Sequence, residues 1–308
     1  MDKNNATHRA SNESVLTILK ELKKSITLRG DLPYVSVKKQ LDILDDLSSF
    51  PLGRFFIERK GADGFWTDYI INHPQVGAIT GLNSQGLPFS PVEKFILEKS
   101  PLTLATRERF SIFQTHTQKF LKKDMKIASI PCGVMRDLLS LDYSQISSIS
   151  IFGIDLDAKS LRLAKELALQ SSLADHVQLL EKDAWNLPFN NQIDLITSNG
   201  LNVYVSEEKK RIQLYQGFHR ALKKRGALII GALTYPPGYQ KQSEWILDKI
   251  PPKDLLMEKI IFQDVLGCKW RNFSTLNELC KNFYSVGFTN VQVISDQYCI
   301  FPTVIATK

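Results

Sequence analysis

Two rhythms divide this chain. Up to about residue 122, apolar residues recur every three or four positions, the spacing of amphipathic helices. From Lys126 onward, short apolar runs alternate with helical stretches. In the first part the pattern predicts helices over Ser11–Leu28, Val35–Leu47, Pro51–Glu58 and Phe65–Ile71. Ser90-Pro91-Val92-Glu93 opens another, with a cap residue, a proline in the first turn and an acid at the third position. A long helix follows from Thr103 to Lys122. Residues 1–10 read as disordered, and residues 74–90, with three glycines and two prolines, as a long loop. In the second part, apolar runs at 126–130, 149–154, 176–180, 193–197, 226–233, 288–294 and 297–306 predict strands. Helical patterns at 136–141, 158–170, 206–224 and 275–286 lie between most of them. That alternation implies a mostly parallel sheet covered on both faces. Only Ser295–Asp296 separates the last two runs, too short for a parallel crossover, so they pair antiparallel.

Composition narrows the picture. The chain has 308 residues, 43% of them hydrophobic, enough for one large or two modest globular domains. No stretch nears the roughly 18 apolar residues of a membrane span, and the polar N-terminal segment lacks a signal-peptide pattern. Four cysteines without Cys-x-x-Cys spacing predict neither a disulfide framework nor a metal site, and favour a cytoplasmic protein. The net charge of +7 permits an anionic partner. Its lysines and arginines are dispersed rather than set in a stripe with aromatics, so nucleic acid is not the favoured partner.

The most telling segment is Lys126–Asp155: a strand, the turn Pro131-Cys132-Gly133-Val134-Met135, a helix start, and a second strand ending at Asp155. An acid about 20 residues past a glycine turn is where nucleoside-binding α/β folds hold a ribose diol. The turn lacks the glycines that let backbone close on a pyrophosphate. A nucleoside without phosphates is implied, and S-adenosylmethionine is the common one.

Five segments together carry a family resemblance: Ile-Ala-Ser-Ile-Pro-Cys-Gly (127–133), Phe-Gly-Ile-Asp-Leu-Asp (152–157), Glu-Lys-Asp-Ala-Trp-Asn-Leu-Pro-Phe (181–189), Ile-Asp-Leu-Ile-Thr-Ser-Asn-Gly-Leu (193–201) and Leu-Lys-Lys-Arg-Gly-Ala-Leu-Ile-Ile (222–230). In order and spacing, residues 103–308 resemble class I S-adenosylmethionine-dependent methyltransferases. The resemblance implies an α/β, Rossmann-like, seven-stranded, mostly parallel sheet whose last strand is antiparallel. Residues 1–102 would add a helical cap.

The resemblance also implies a site. Asp155 would accept the ribose hydroxyls, Asp183 the adenine amine, and the Ala184 N–H would face the ring, with Leu156 and Trp185 on its faces. Ser129, Pro131 and Gly133 would border the methionine end. Here the chain departs from the family, which has an acid and three alternating glycines where this one has Ser129, Pro131, Gly133 and Met135. Ser129 cannot attract an ammonium as a carboxylate would, Pro131 removes a donor, and Met135 is expected to crowd the helix against its strand. Arg136, or Arg107 or Arg109 on the preceding helix, would supply a bidentate partner for a carboxylate. Asn199, Asn202 and Tyr204, after the fourth strand, would align acceptor or sulfonium. In-line methyl transfer depends on proximity more than on acid–base machinery.

The fourth-strand segment lacks the Asn/Asp-Pro-Pro-Tyr/Phe run of amine- and amide-methylating enzymes. Cys132 lies in the first loop, where it reads as a packing residue rather than a nucleophile. The expected activity is methyl transfer to oxygen of a small-molecule or lipid-like acceptor. Phe55, Phe56, Phe65, Trp66 and Tyr69 of the cap would build its pocket. The alternatives are an RNA or protein methyltransferase, or a degenerate scaffold.

Overall fold

The computed structural model describes residues 15–239, 243–268 and 272–308. The expected disorder of residues 1–10 and the first turn of the Ser11–Leu28 helix lie outside them. The chain divides into two compact units, one of residues 1–104 and 247–270, the other of 105–246 and 271–308.

The first unit is helical: α1 (Val15–Arg29), α2 (Val37–Ser49), α3 (Pro51–Arg59), α4 (Gly64–Asn72), the single turn α5 (Gly77–Thr80), α6 (Pro91–Glu98) and the start of α7 (Pro101–Phe120). Side-chain caps begin several of these, of which the sequence pattern predicts the one at Ser90. Ser36 accepts from the Lys39 N–H, Asp63 from Trp66 and Ser90 from Glu93. Ile26, Ile43, Leu44, Leu47, Leu52 and Ile57 are fully buried on the facing sides of α1–α3. Burying each such side chain stabilises by about 1.5–3 kcal/mol.

The second unit holds the sheet. Along the chain come β1 (Met125–Ser129), α8 (Arg136–Leu139), β2 (Ile149–Asp155), α9 (Ala158–Gln170), β3 (Val177–Glu181), β4 (Ile193–Ser198), α10 (Glu208–Ala221) and β5 (Leu222–Gly231). The chain then contributes α11 (Pro252–Glu258) and a π-helical turn (Lys259–Val265) to the first unit, before α12 (Leu276–Val286), β6 (Thr289–Ile294) and β7 (Thr303–Thr307) complete the second. The strand order is β3-β2-β1-β4-β5-β7-β6. β7 runs antiparallel to both its neighbours and the other strands share one direction.

Alternation along each strand splits the core between two faces. Ile127, Ile151 and Ile229 pack with α9 and Phe113 of α7 on one side. Ala128, Phe152 and Ile230 pack with α10 and α12 on the other. The connection between β1 and β4 is where the chain order reverses, and such a switch point opens a crevice at the carboxyl ends of the strands.

Four details differ from the pattern. The residues after β6 are not a two-residue turn. The Asp296 carboxylate accepts the Tyr298 and Phe301 N–H groups and winds 295–302 into a compact loop, leaving only Thr303–Thr307 as strand. The helix expected over 206–224 ends at Ala221, because Leu222 already pairs with Ile193 and Lys223 forms an ion pair with Asp194. The loop 74–90 contains α5. Residues 247–268, to which the pattern assigns no element, are largely helical and pack with the N-terminal helices.

That insertion carries a buried carboxyl. Glu258 accepts hydrogen bonds from the Ser100 hydroxyl and from the Leu102 N–H in the first turn of α7. Burial raises its pKa to about 7, against which the two hydrogen bonds act. A raised acid pKa stabilises fully below the unfolded value of 4.5 and loses that contribution as pH rises to about 7. Glu258→Gln is therefore expected to gain about 3 kcal/mol on the wild type between pH 4.5 and pH 8. Chemical unfolding at the two pH values measures it, and a difference that does not change with pH would contradict it.

Candidate functional site

The carboxyl ends of β2, β1, β4 and β5 bring together most of the residues singled out in the sequence. At the end of β2, Asp155 is half-buried. One carboxylate oxygen accepts the Gly133 N–H at 2.9 Å and the other the Asp157 N–H at 3.0 Å. Each oxygen keeps a further acceptor site. Burial pushes this carboxyl above its usual range, against the pull of those N–H groups. The next residue, Leu156, is 65% exposed. Asp157 caps α9 by accepting from the Lys159 and Ser160 N–H groups, leaving Asp155 free of that task.

Past β3, Asp183 is exposed and accepts the Trp185 N–H, while Ala184 is buried. The Trp185 indole packs against the core on the α10 side and donates to the Lys210 carbonyl at 2.8 Å. Arg136, at the start of α8, and Arg107, on α7, are both half-buried.

The glycine-poor turn is solved in an unexpected way. The Ile130 N–H reaches the Thr197 carbonyl and the Cys132 N–H the Ile154 carbonyl, so the turn begins by bridging both neighbours of β1. Met135 takes a left-handed conformation, φ 62°, and is buried. The expected crowding of helix against strand does not occur, because the β2 residue opposite is Gly153. A Cβ there would lie 2.8 Å from Met135 Sδ, 3.2 Å from Cys132 Sγ and 2.6 Å from a Leu179 methyl. The glycine missing from the turn is thus found on the neighbouring strand. Gly153→Ala is expected to destabilise by about 1–3 kcal/mol. In a double-mutant cycle, Met135→Ala should recover part of that loss. Additive single effects would disprove the pairing.

The strand-end acid is likewise relocated. Ser129 is fully buried and its hydroxyl donates to Asp137 Oδ2 at 2.9 Å, as does the Thr197 hydroxyl at 2.6 Å. A carboxyl therefore does lie between the ends of β1 and β4, supplied by the second residue of α8. Burial pushes its pKa upward. The sequence reading missed Asp137. The available signal was an acid standing directly before Leu138-Leu139 in an apolar helix. Cys132 is buried with its thiol pushed up by burial, in keeping with a packing role.

At and just past the end of β4, three buried oxygens have no hydrogen-bond partner among the described residues: Ser198 Oγ, Asn199 Oδ1 and Asn202 Oδ1. Asn202 sits in the 3-10 turn Leu201–Tyr204, held by its contact with the Tyr215 hydroxyl and by the Asn272 amide on its carbonyl. Orphaned polar atoms cost about 1–3 kcal/mol each, which makes this strand end a candidate ligand position. Among the described residues no group of three or more His, Cys, Asp and Glu side chains could hold a metal ion. No described helix is long and apolar enough to cross a membrane.

Comparison with known proteins bears on this arrangement. Residues 127–226 match the family profile "Methyltransferase domain". The chain thus carries a methyltransferase domain of the class I S-adenosylmethionine-dependent kind. It is 26% identical over 184 residues to the demethylmenaquinone methyltransferase of Lactiplantibacillus plantarum, an alignment covering 58% of this chain and 76% of that one. A solved structure from Bordetella parapertussis, described as a possible exported protein, is 32% identical. It covers 98% of this methyltransferase and 99% of its own chain, with a TM-score of 0.90. The likeness to that structure thus extends over the helical unit as well as the sheet. S-adenosylmethionine is the methyl donor of that methyltransferase family.

Proposed function

We propose that this methyltransferase transfers a methyl group to an oxygen of a small or lipid-like acceptor, held at the carboxyl ends of β4 and β5. The residues present suit the donor. Asp155 has acceptor capacity left for two hydroxyls, Leu156 offers an exposed apolar face, and the exposed Asp183 carboxylate with the Ala184 N–H suits an adenine edge. Ser129, Pro131 and Gly133 border the amino-acid end, where Asp137 lies behind Ser129 and Arg136 and Arg107 are near in sequence to β1. When bound, the donor supplies an electrophilic methyl on a sulfonium. Carbonyl oxygens carry partial negative charge, and those of Asn199 and Asn202 suit a cationic neighbour, while Tyr204 would orient the acceptor.

The observation that carries this reading is the set of orphaned oxygens at the end of β4. The β4 segment 197–204 also lacks the motifs of amine and cysteine-dependent methylation. The Lactiplantibacillus relative is named for demethylmenaquinone, which supports a lipid-like acceptor. Calorimetry with S-adenosylhomocysteine tests the cofactor assignment. Saturable one-site binding is expected, and silence at millimolar ligand would leave only a scaffold.

A further inference from the structure

One cation at this edge is buried without an ion-pair partner among the described residues. Arg109 of α7 is 7% exposed, and its Nε has no hydrogen-bond partner among the described residues. Its guanidinium carbon stands 4.7 Å from the centroid of the Phe301 ring. It lies against the end of β5, where residue 231 is glycine. A Cβ there would meet Arg109 Cδ at 3.2 Å and Nη1 at 3.5 Å, and Asn199 Oδ1 also at 3.5 Å.

No described carboxylate comes within ion-pair distance of this guanidinium. Asp296 and the Tyr204 phenol act on it from further away, and both Asp296 oxygens already accept backbone N–H groups. Burial pushes the Arg109 pKa down to about 10, so the group is still a cation at neutral pH. A buried cation without a direct partner costs several kcal/mol. Such an arrangement persists where a ligand supplies the missing charge.

The position separates this cation from the donor's nucleoside. Asp155 ends β2, and β5 lies three strands away, roughly 14 Å at the spacing of paired strands. The neighbours of Arg109 are Asn199 and Gly231, on the acceptor side of the crevice. Its planar fork matches a carboxylate in a bidentate fashion, and the Phe301 ring lies against it.

We propose that Arg109, with Asn199 beside it and Phe301 behind it, binds a carboxylate of the methyl acceptor, so that the substrate is an organic acid. This rests on the donor occupying the β1 and β2 edge. Arg109 is then a specificity-determining residue.

The test compares wild type with Arg109→Met and Arg109→Lys, with and without S-adenosylhomocysteine. Calorimetry measures Kd for acetate, benzoate and octanoate, each against its own amide, which also separates short, aromatic and fatty acids. At least one acid is expected to bind wild type tenfold or more tightly than its amide. Arg109→Met should erase that preference while S-adenosylhomocysteine affinity changes less than threefold. If Arg109→Met does not fold by circular dichroism, Arg109→Lys should lower the preference at least threefold. No acid preference in wild type, or a preference that survives the substitution, overturns the proposal. A tenfold loss of S-adenosylhomocysteine affinity in the variants would assign the guanidinium to the donor instead. Should wild type fail to bind S-adenosylhomocysteine, the donor reading falls, while the acid-against-amide comparison made without it still decides the role of Arg109.

Discussion

Asp155→Ala is expected to raise the Kd for S-adenosylhomocysteine by about 30- to 1,000-fold. Hydrogen bonds to a charged acceptor contribute about 1.5–3 kcal/mol each, and a loss of about 2–4 kcal/mol, between one such bond and two, gives that range at about 1.4 kcal/mol per tenfold. The side chain has a second role, since it also holds the Gly133 and Asp157 N–H groups and so the turn after β1. Part of the loss would therefore come from a less ordered turn, not only from the missing acceptor. Asp155→Asn separates the two. Its amide keeps one acceptor oxygen and nearly the same shape, so the turn should persist and the loss should be nearer tenfold. Calorimetry gives the affinities, and urea unfolding reports the turn through stability. A Kd within threefold of wild type for Asp155→Ala would rule out ribose recognition by this carboxylate.

The second large effect is on stability. Asp137→Ala removes the acceptor of two buried hydroxyls, those of Ser129 and Thr197. Each orphaned group costs about 1–3 kcal/mol, so a loss of about 2–4 kcal/mol is expected. Asp137→Asn keeps an acceptor in place and should be much milder. The pH dependence has a definite sign. Burial raises the folded-state pKa of Asp137 above its ordinary 3.8. Its stabilising contribution is then complete below pH 3.8 and fades as pH rises through the folded value. Asp137→Asn should therefore gain on wild type as pH is raised from 3.5 to 7, measured by urea unfolding. A constant difference across that range would mean that Asp137 does not titrate as a buried acid.

Much of the site can be read in one dimension because each residue belongs to the end of a strand. Asp155, Asp183 and Asn199 each follow an apolar run, and in a parallel sheet all such ends meet along one edge. What escapes is anything completed by a partner distant in sequence. Met135 looks too large for its turn until Gly153 is seen opposite it. Ser129 looks like a lost acid until Asp137 is found behind it. Arg109 is one arginine among several until Gly231 is seen to leave it room.

The segment 247–268 escapes for a related reason. It is short and follows a long strand, so nothing local ties it to helices some 200 residues earlier. Only the shared burial of Ile260, Ile261, Phe262 and Val265 with the α1–α3 core does so.

The hydrophobic periods by themselves determined the strand–helix alternation, the antiparallel final pairing and the edge on which the polar residues gather, because those periods encode which faces must leave water. Only the folded arrangement decided how the glycine-poor turn is accommodated, where its missing carboxyl comes from and which arginine lies buried with no ion-pair partner among the described residues. Those are matters of volume and charge between residues far apart in the chain, and no local pattern records them.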